Sequence, residues 1–354
     1  MTTRESGQPR LMARITVPTE IVRGEPVNVS FELTNGSDEP LRVLQWFTPF
    51  EGIAGRIFRV EREGEPVSYR GILVKRGAPA ADEYLSIDAR SSVTTEVDLA
   101  ASYDLTAPGN YRVEFVAPRL SEALTVGQTP VKDPSDLSPL AVVTELVSFQ
   151  VVERDGEAPR RPPSGAADAT YENCTASEEA TVKQSEVTAE LQATLVYSHL
   201  NGLSAAARQT NALYSKWFGA YTAGRYSTVL SNWKKIKDAL DQSRAFNCDG
   251  PDCGSSWYAY VYAGGSVEVF LCSKYWSAPE SGVDTKFGTL IHEISHEVAD
   301  TDDNAYGKTA CADLATNDPD TSIENADNYE YMAEEYRLPS GCFGAIANLF
   351  RFGS

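Results

Sequence analysis

Residues 288–307 read GTLIHEISHEVADTDDNAYG and hold His292, Glu293 and His296, which include two of the three histidines in the chain. Positions four apart on a helix lie one turn apart on the same face, so both imidazoles can reach one metal ion with Glu293 beside it. Phe287, Leu290, Ile291, Ile294 and Val298 recur at helical spacing, which puts the motif on an amphipathic helix with one buried face. The pattern HExxH is the arrangement that holds a catalytic zinc ion (Zn2+) next to a carboxylate base.

A catalytic zinc takes three protein ligands and keeps a fourth position open, so a further donor is needed. His199 is the remaining histidine, and it falls in a helical stretch with no partner motif, where a structural role is expected. The third ligand is therefore expected to be a carboxylate, with Asp300, Asp302 and Asp303 the nearby candidates.

Three blocks in this order, Tyr214–Gly219 (YSKWFG), Thr301–Gly307 (TDDNAYG) behind HExxH, and Asn325–Tyr331 (NADNYEY), give the chain its resemblance to a family. It resembles the aspzincins, which comprise deuterolysin and the peptidyl-Lys metalloendopeptidases, over residues from about 171 to 354. In that family the Asp of a GTxDxxYG-type element is the third zinc ligand, which implies Asp303 here. Asp303 lies eleven positions after His292, a shorter interval than the family's, and Asp300 stands where the approach is glycine-rich. The pattern HExxHxxGxxD would select Asp302 instead, but it needs glycine where Ala299 stands and leaves Tyr306-Gly307 unexplained.

The resemblance implies a zinc metalloendopeptidase, secreted as a zymogen and acting on protein or peptide substrates. Glu293 is then the general base and Tyr306 a donor to the oxyanion; otherwise Tyr306 is a core tyrosine. Asp327 and Glu330, three apart and so on one helical face, match the residues that line the lysine pocket in the lysine-specific members. Cleavage on the N-terminal side of lysine is the expectation; the alternative is that these two belong to the acidic surface running from Glu297 to Glu335.

Cys174, Cys248, Cys253, Cys272, Cys311 and Cys342 all lie in the second half, without a CxxC pair. An even number confined to one domain reads as a disulfide framework formed outside the cytoplasm. The resemblance suggests Cys174 with Cys248 and Cys253 with Cys272, which leaves Cys311 with Cys342. Helices are expected at about 177–203, 205–221, 226–246, 284–298, 306–316 and 320–336, with a hairpin of 257–262 and 266–272.

Upstream the texture changes. From Leu11 to about Val152 short alternating runs such as VNVSFEL (27–33) and YRVEF (111–115) are separated by turn residues. The segment YDLTAPGNYRV (103–113) looks like the end of an immunoglobulin-like sandwich. Arg154–Thr170, RDGEAPRRPPSGAADAT, has no periodicity and is a natural place for proteolysis. The expected organisation is multidomain: an all-β immunoglobulin-like sandwich prodomain (1–155), a linker with a processing site (156–170), and a mainly helical α+β zincin-type catalytic domain (171–354).

A formal charge of -19 argues against nucleic acid or an anionic membrane as partner and suits a basic substrate. A monomer is expected. No apolar run reaches the roughly 20 residues that span a bilayer. Residues 1–20 lack the blocks of a Sec signal, so either a leader has been removed or export takes another route.

The prodomain reading carries a further expectation. Gly71–Ile87, GILVKRGAPAADEYLSI, runs from an apolar strand through Lys75-Arg76 into a turn, so that Lys75 either enters the acidic pocket as an inhibitory plug or is an ordinary solvated charge. Rival readings keep the sandwich attached as a substrate-recruiting module, or make the chain a noncatalytic adhesin or toxin subunit with structural zinc. The intact Glu293 and the open fourth position argue against the last.

Overall fold

The computed structural model describes residues 11–153 and 170–337, apart from 117–119, 121, 138–139, 141, 143 and 265–267. Buried and exposed residues alternate strictly in β1 (Leu11–Thr16), and a similar two-residue alternation puts one face of the long strands at 28–35 and 109–115 into the core. The further strands of this region are β2 (Glu20–Val22), β3 (Asn28–Asn35), β4 (Leu41–Leu44), β5 (Phe58–Arg62) and β6 (Glu65–Pro66). There follow β7 (Ile72–Arg76), β8 (Tyr84–Ile87), β9 (Ser92–Asp98), β10 (Gly109–Phe115), β11 (Ala123–Thr125) and β12 (Val147–Val152).

Three sheets form from them, ordered β1-β3-β9, β2-β12-β10-β5-β6 and β11-β4-β8. Their inner faces meet in a core that includes Phe31, Phe58 and Phe115, with Tyr111 stacked on Phe149. Strand β7 joins none of these sheets.

The second half is mainly helical. A long helix α1 (Ala176–Gly202) is opened by a capping box in which Thr175 and Glu178 satisfy each other's backbone amides. It is followed by α2 (Ala205–Gln209), α3 (Ala212–Phe218) and α4 (Ala223–Leu240). The expected helix 205–221 is therefore two, because Asn211 caps α3 by accepting from the Tyr214 amide. The expected helix 226–246 ends at Leu240, and Ala245–Asn247 is a strand, β14.

With β13 (Thr170–Glu172), β15 (Trp257–Tyr262) and β16 (Glu268–Leu271), this strand builds a sheet ordered β13-β14-β16-β15-β7. The expected hairpin is β15 and β16, and the edge beyond β15 is taken by β7 from the N-terminal half, antiparallel and in the register Tyr260↔Val74. The remaining helices are α5 (Ser273–Ser277), α6 (Lys286–Ala299), α7 (Lys308–Asn317), α8 (Pro319–Ser322) and α9 (Ala326–Glu335). The expected last helix, 320–336, is broken at Ile323–Asn325 into α8 and α9. No helix among the described residues is long and apolar enough to cross a membrane.

Disulfides Cys174–Cys248 and Cys253–Cys272 are both formed. Among the described residues Cys311, expected to pair with Cys342, is a buried free thiol. Its sulfur lies 3.4 Å from the Ala305 carbonyl, inside the polar cluster that joins α7 to α9; Cys342 lies outside the described residues. The linker expected at 156–170 also lies outside them, save Thr170 at the start of β13.

Candidate active site

Helix α6 is built to be covered. Thr285 caps it by accepting from the Gly288 amide, and every residue from Lys286 to His296 is buried. It ends at Asp300, whose φ of 54° is left-handed and turns the chain back toward the helix. The returning loop is stitched to the start of α9: Asp302 N–H donates to Glu324 O (2.6 Å) and Ala326 N–H to Asp302 O (3.0 Å). Asn325 Oδ1 accepts from the amides of Asn304 and Ala305. This fixes TDDNAYG and NADNYEY, distant in sequence, on either side of HExxH.

The geometry brings His292, His296 and Asp303 together. His292 Nε2 lies 3.0 Å from His296 Nε2 and 3.2 Å from Asp303 Oδ1, and His296 Nε2 is 3.5 Å from the same oxygen. The other ring nitrogens are engaged, His292 Nδ1 at 2.8 Å from Asp327 Oδ1 and His296 Nδ1 at 2.9 Å from the Thr301 carbonyl. Both partners are acceptors, so each ring carries its proton on Nδ1 and turns an Nε2 lone pair inward. Two lone pairs and a buried carboxylate oxygen without a hydrogen bond then face one point, an arrangement that requires a cation. Two nitrogens and one oxygen are a donor set for zinc. Asp302 faces elsewhere, with Oδ2 3.6 Å from Arg56 Nε, and Asp300 also pairs with Arg56.

Glu293 and Tyr306 flank this point, and both touch strand β7. The Lys75 amide donates to Glu293 Oε1 (3.1 Å), the Tyr306 hydroxyl donates to the Val74 carbonyl (2.8 Å), and the Val74 amide donates to Asp303 Oδ2 (3.0 Å). Burial pushes the Glu293 carboxyl up to about 7, against the pull of the two histidines. Burial likewise holds the Tyr306 phenol well above its usual range.

Asp327 and Glu330, on α9, surround the Lys75 ammonium. Nζ lies 2.9 Å from Asp327 Oδ1, 2.9 Å from Glu330 Oε2 and 3.1 Å from Asp284 Oδ1, with no exposure to solvent. Burial disfavours the charge, yet Asp327, Glu330, Tyr331 and Asp284 together hold the Lys75 pKa well above the usual lysine value. Lys75 is therefore no solvated loop charge. Asp327 is also the partner of His292 Nδ1, so a single carboxylate serves both the lysine and a histidine of the metal cluster.

Sequence reasoning missed Asp284 and Tyr331. Tyr331 donates to Asp284 Oδ1 (2.7 Å), and the Lys75 Nζ lies 5.1 Å from the Tyr331 ring centre. Tyr331 is four residues after Asp327 on the same helical face, a signal that could have found it. Asp284 carries none, since it sits before the helix cap with a left-handed φ of 52°. His199 is remote from the site; it hydrogen-bonds Asn211 and packs on Tyr336.

Comparison with known proteins places these features. Residues 203–334 match the aspzincin family, described as lysine-specific metallo-endopeptidase. An "Extracellular protease" of Aeromonas hydrophila is 34% identical over 331 residues, covering 92% of this chain and 92% of its own. A "Peptidyl-Lys metalloendopeptidase" of Grifola frondosa is 30% identical over 93% of this chain and 94% of its own. A solved zinc peptidase from Grifola frondosa is 34% identical and covers 46% of this chain and 96% of its own, with a TM-score of 0.41. The likeness to the first two runs through both halves of the molecule, and the chain belongs to the aspzincin family of zinc metalloendopeptidases.

Proposed function

We propose that this metalloendopeptidase is made as a secreted zymogen that cleaves on the N-terminal side of lysine. In this reading residues 1–155 are an immunoglobulin-like β-sandwich prodomain, and residues 171–354 are the protease. The observation that carries it is Lys75, which enters the Asp327–Glu330 pocket from the N-terminal half while the amide before it lies between Glu293 and Tyr306. A lysine of a substrate would enter the same pocket with the same charge compensation.

His292, His296 and Asp303 would hold the zinc ion, which supplies polarisation of the scissile carbonyl and acidifies a water molecule. Glu293 takes the proton from that water and passes it to the departing amine, to which it already lies close through the Lys75 amide. Tyr306 donates to the carbonyl oxygen as negative charge develops there. Asp303 Oδ2 accepts from the amide on the acyl side, and β15 pairs with the bound strand, which together fix its direction. Asp327 orients His292 and anchors the lysine.

The test is to load the protein with zinc, digest casein, and read the new N-termini. Lysine is expected at nearly all of them, with hydrolysis abolished by EDTA and restored by added zinc. New N-termini without lysine enrichment would contradict the pocket assignment, and hydrolysis unaffected by EDTA would contradict the metal site.

A further inference from the structure

Strand β7 presents its two basic residues to opposite sides, as the two-residue period of a strand dictates. Lys75 points into the catalytic half. Arg76 points back, and its two terminal nitrogens donate to the two oxygens of Glu51 at 3.0 and 2.9 Å. The guanidinium centre lies 4.9 Å from the Trp46 ring and 5.9 Å from Phe47 in the N-terminal half, and 5.1 Å from Trp257 in the second half, with the Tyr306 hydroxyl also beside it. It is 1% exposed.

The backbone between these two anchors is in a substrate's register. Val74 C=O at the Tyr306 hydroxyl and Lys75 N–H at Glu293 are the two ends of one amide, the bond before a lysine. A one-residue slip would turn Lys75 out of its pocket, so this register is enforced. On the acyl side, Leu73 is fully buried and the Ile72 carbonyl is held by the Tyr69 hydroxyl at 2.7 Å. On the amine side, the Arg76–Glu51 clamp is continued by the Gly77 amide, which donates to Ser256 O at 2.8 Å.

We propose that the Val74–Lys75 peptide bond is itself a substrate of this active centre, a self-processing site inside the N-terminal half, and that the Arg76–Glu51 clamp retains both ends after the cut. Hydrolysis breaks the bond between Val74 C and Lys75 N. Water gives its oxygen to the Val74 carbonyl carbon, leaving a carboxylate, and both of its protons to the Lys75 nitrogen, leaving an ammonium. No other reactant is consumed. With both new ends fixed, the reverse reaction is intramolecular and the product cannot diffuse away, so the strand inhibits whether intact or cut. The clamp is what separates an inhibitor from a substrate here; this rests on the zymogen reading above.

The experiment uses the full chain. Zinc is added to wild type, Arg76→Ala, Arg76→Lys and Glu51→Gln, and the fraction with Lys75 as a new N-terminus is followed by mass spectrometry. Arg76→Ala and Glu51→Gln are expected to accumulate it at least about tenfold faster than wild type, as the ends separate, with Arg76→Lys between them because it keeps the charge and loses the bidentate pairing. In the zinc-free proteins, hydrogen exchange at the Val74 and Lys75 amides is expected to be faster in the two clamp variants by about the same factor. Wild-type exchange in both variants, or no Lys75 N-terminus in any variant while an added lysyl peptide is cut, would overturn the clamp proposal. The zymogen reading fails separately: its failure is a wild-type full chain that hydrolyses the added peptide without a lag and no slower than Lys75→Ala.

Discussion

Lys75 and Arg76 are neighbours on one strand, both cationic and both buried, yet their sites are built on different principles. The Lys75 site is three carboxylates and a phenol, all supplied by the second half, around an ammonium with no exposure to solvent. The Arg76 site is one carboxylate and aromatic faces, Glu51, Trp46 and Phe47 from the N-terminal half with Trp257 and Tyr306 from the other. An ammonium is a point charge that needs compensation from several directions, whereas a guanidinium is planar and can be sandwiched. The first site reads as recognition and the second as retention, so mutations in them should separate cleanly.

The largest effect is expected at the base they both depend on. Glu293→Gln keeps the fold and the metal donors but removes the proton acceptor, so turnover should fall by about a thousandfold with zinc content unchanged. It should also accumulate as uncut full-length chain. Near-wild-type turnover on a protein substrate would remove Glu293 from the mechanism.

Next is Asp327→Asn, which strips charge from the recognition site and from His292 at once. Removing one partner of a buried ion pair costs on the order of 3–5 kcal/mol, so kcat/KM on lysyl bonds should fall about a hundredfold or more. Zinc affinity should fall about tenfold or more through His292. Glu51→Gln, in the retention site, should leave the zinc affinity of the full chain unchanged. Equal losses in the two variants would erase the distinction between the sites.

Metal content provides a third test. Asp303→Ala should lose zinc at chelator concentrations where Asp302→Ala retains it, since Asp303 faces both histidines and Asp302 faces Arg56. The reverse order would move the ligand to Asp302.

The smallest effect concerns the floor of the lysine site. Glu334 accepts from the Thr285 amide, and burial, then the nearby Glu330 charge, raises its carboxyl from the ordinary 4.5 to about 8. Between these values the folded chain keeps a proton that the unfolded chain has lost, so stability is greatest below the lower value and declines as pH rises through the window. Glu334→Gln should flatten that decline in thermal melts taken from about pH 5 to 8. An unchanged slope would assign the pH dependence to other groups.

The sequence carried the catalytic helix and its motif because their signals are local: a 3.6-residue apolar period in α6, and histidines one turn apart. The neighbourhood of Asp303 was also legible, through a block pattern. The split at Asn211 was not, because its side-chain cap overrides an otherwise helical spacing, nor was that at Ile323–Asn325, where the Asn325 side chain accepts from the distant amides of Asn304 and Ala305. The destination of Lys75 was legible only as one of two options. Its choice depends on β7 pairing with β15 across the two halves, a long-range contact that no local pattern encodes.

The central claim is that β7 occupies the site as a lysyl substrate does. The most direct measurement is the initial rate at which zinc-loaded, uncut full-length chain hydrolyses an added lysyl peptide, compared between wild type and Lys75→Ala. An empty recognition site should make the variant at least about tenfold faster, with the wild type showing a lag that ends as it is processed. Equal initial rates, with no lag in either protein, would contradict the claim.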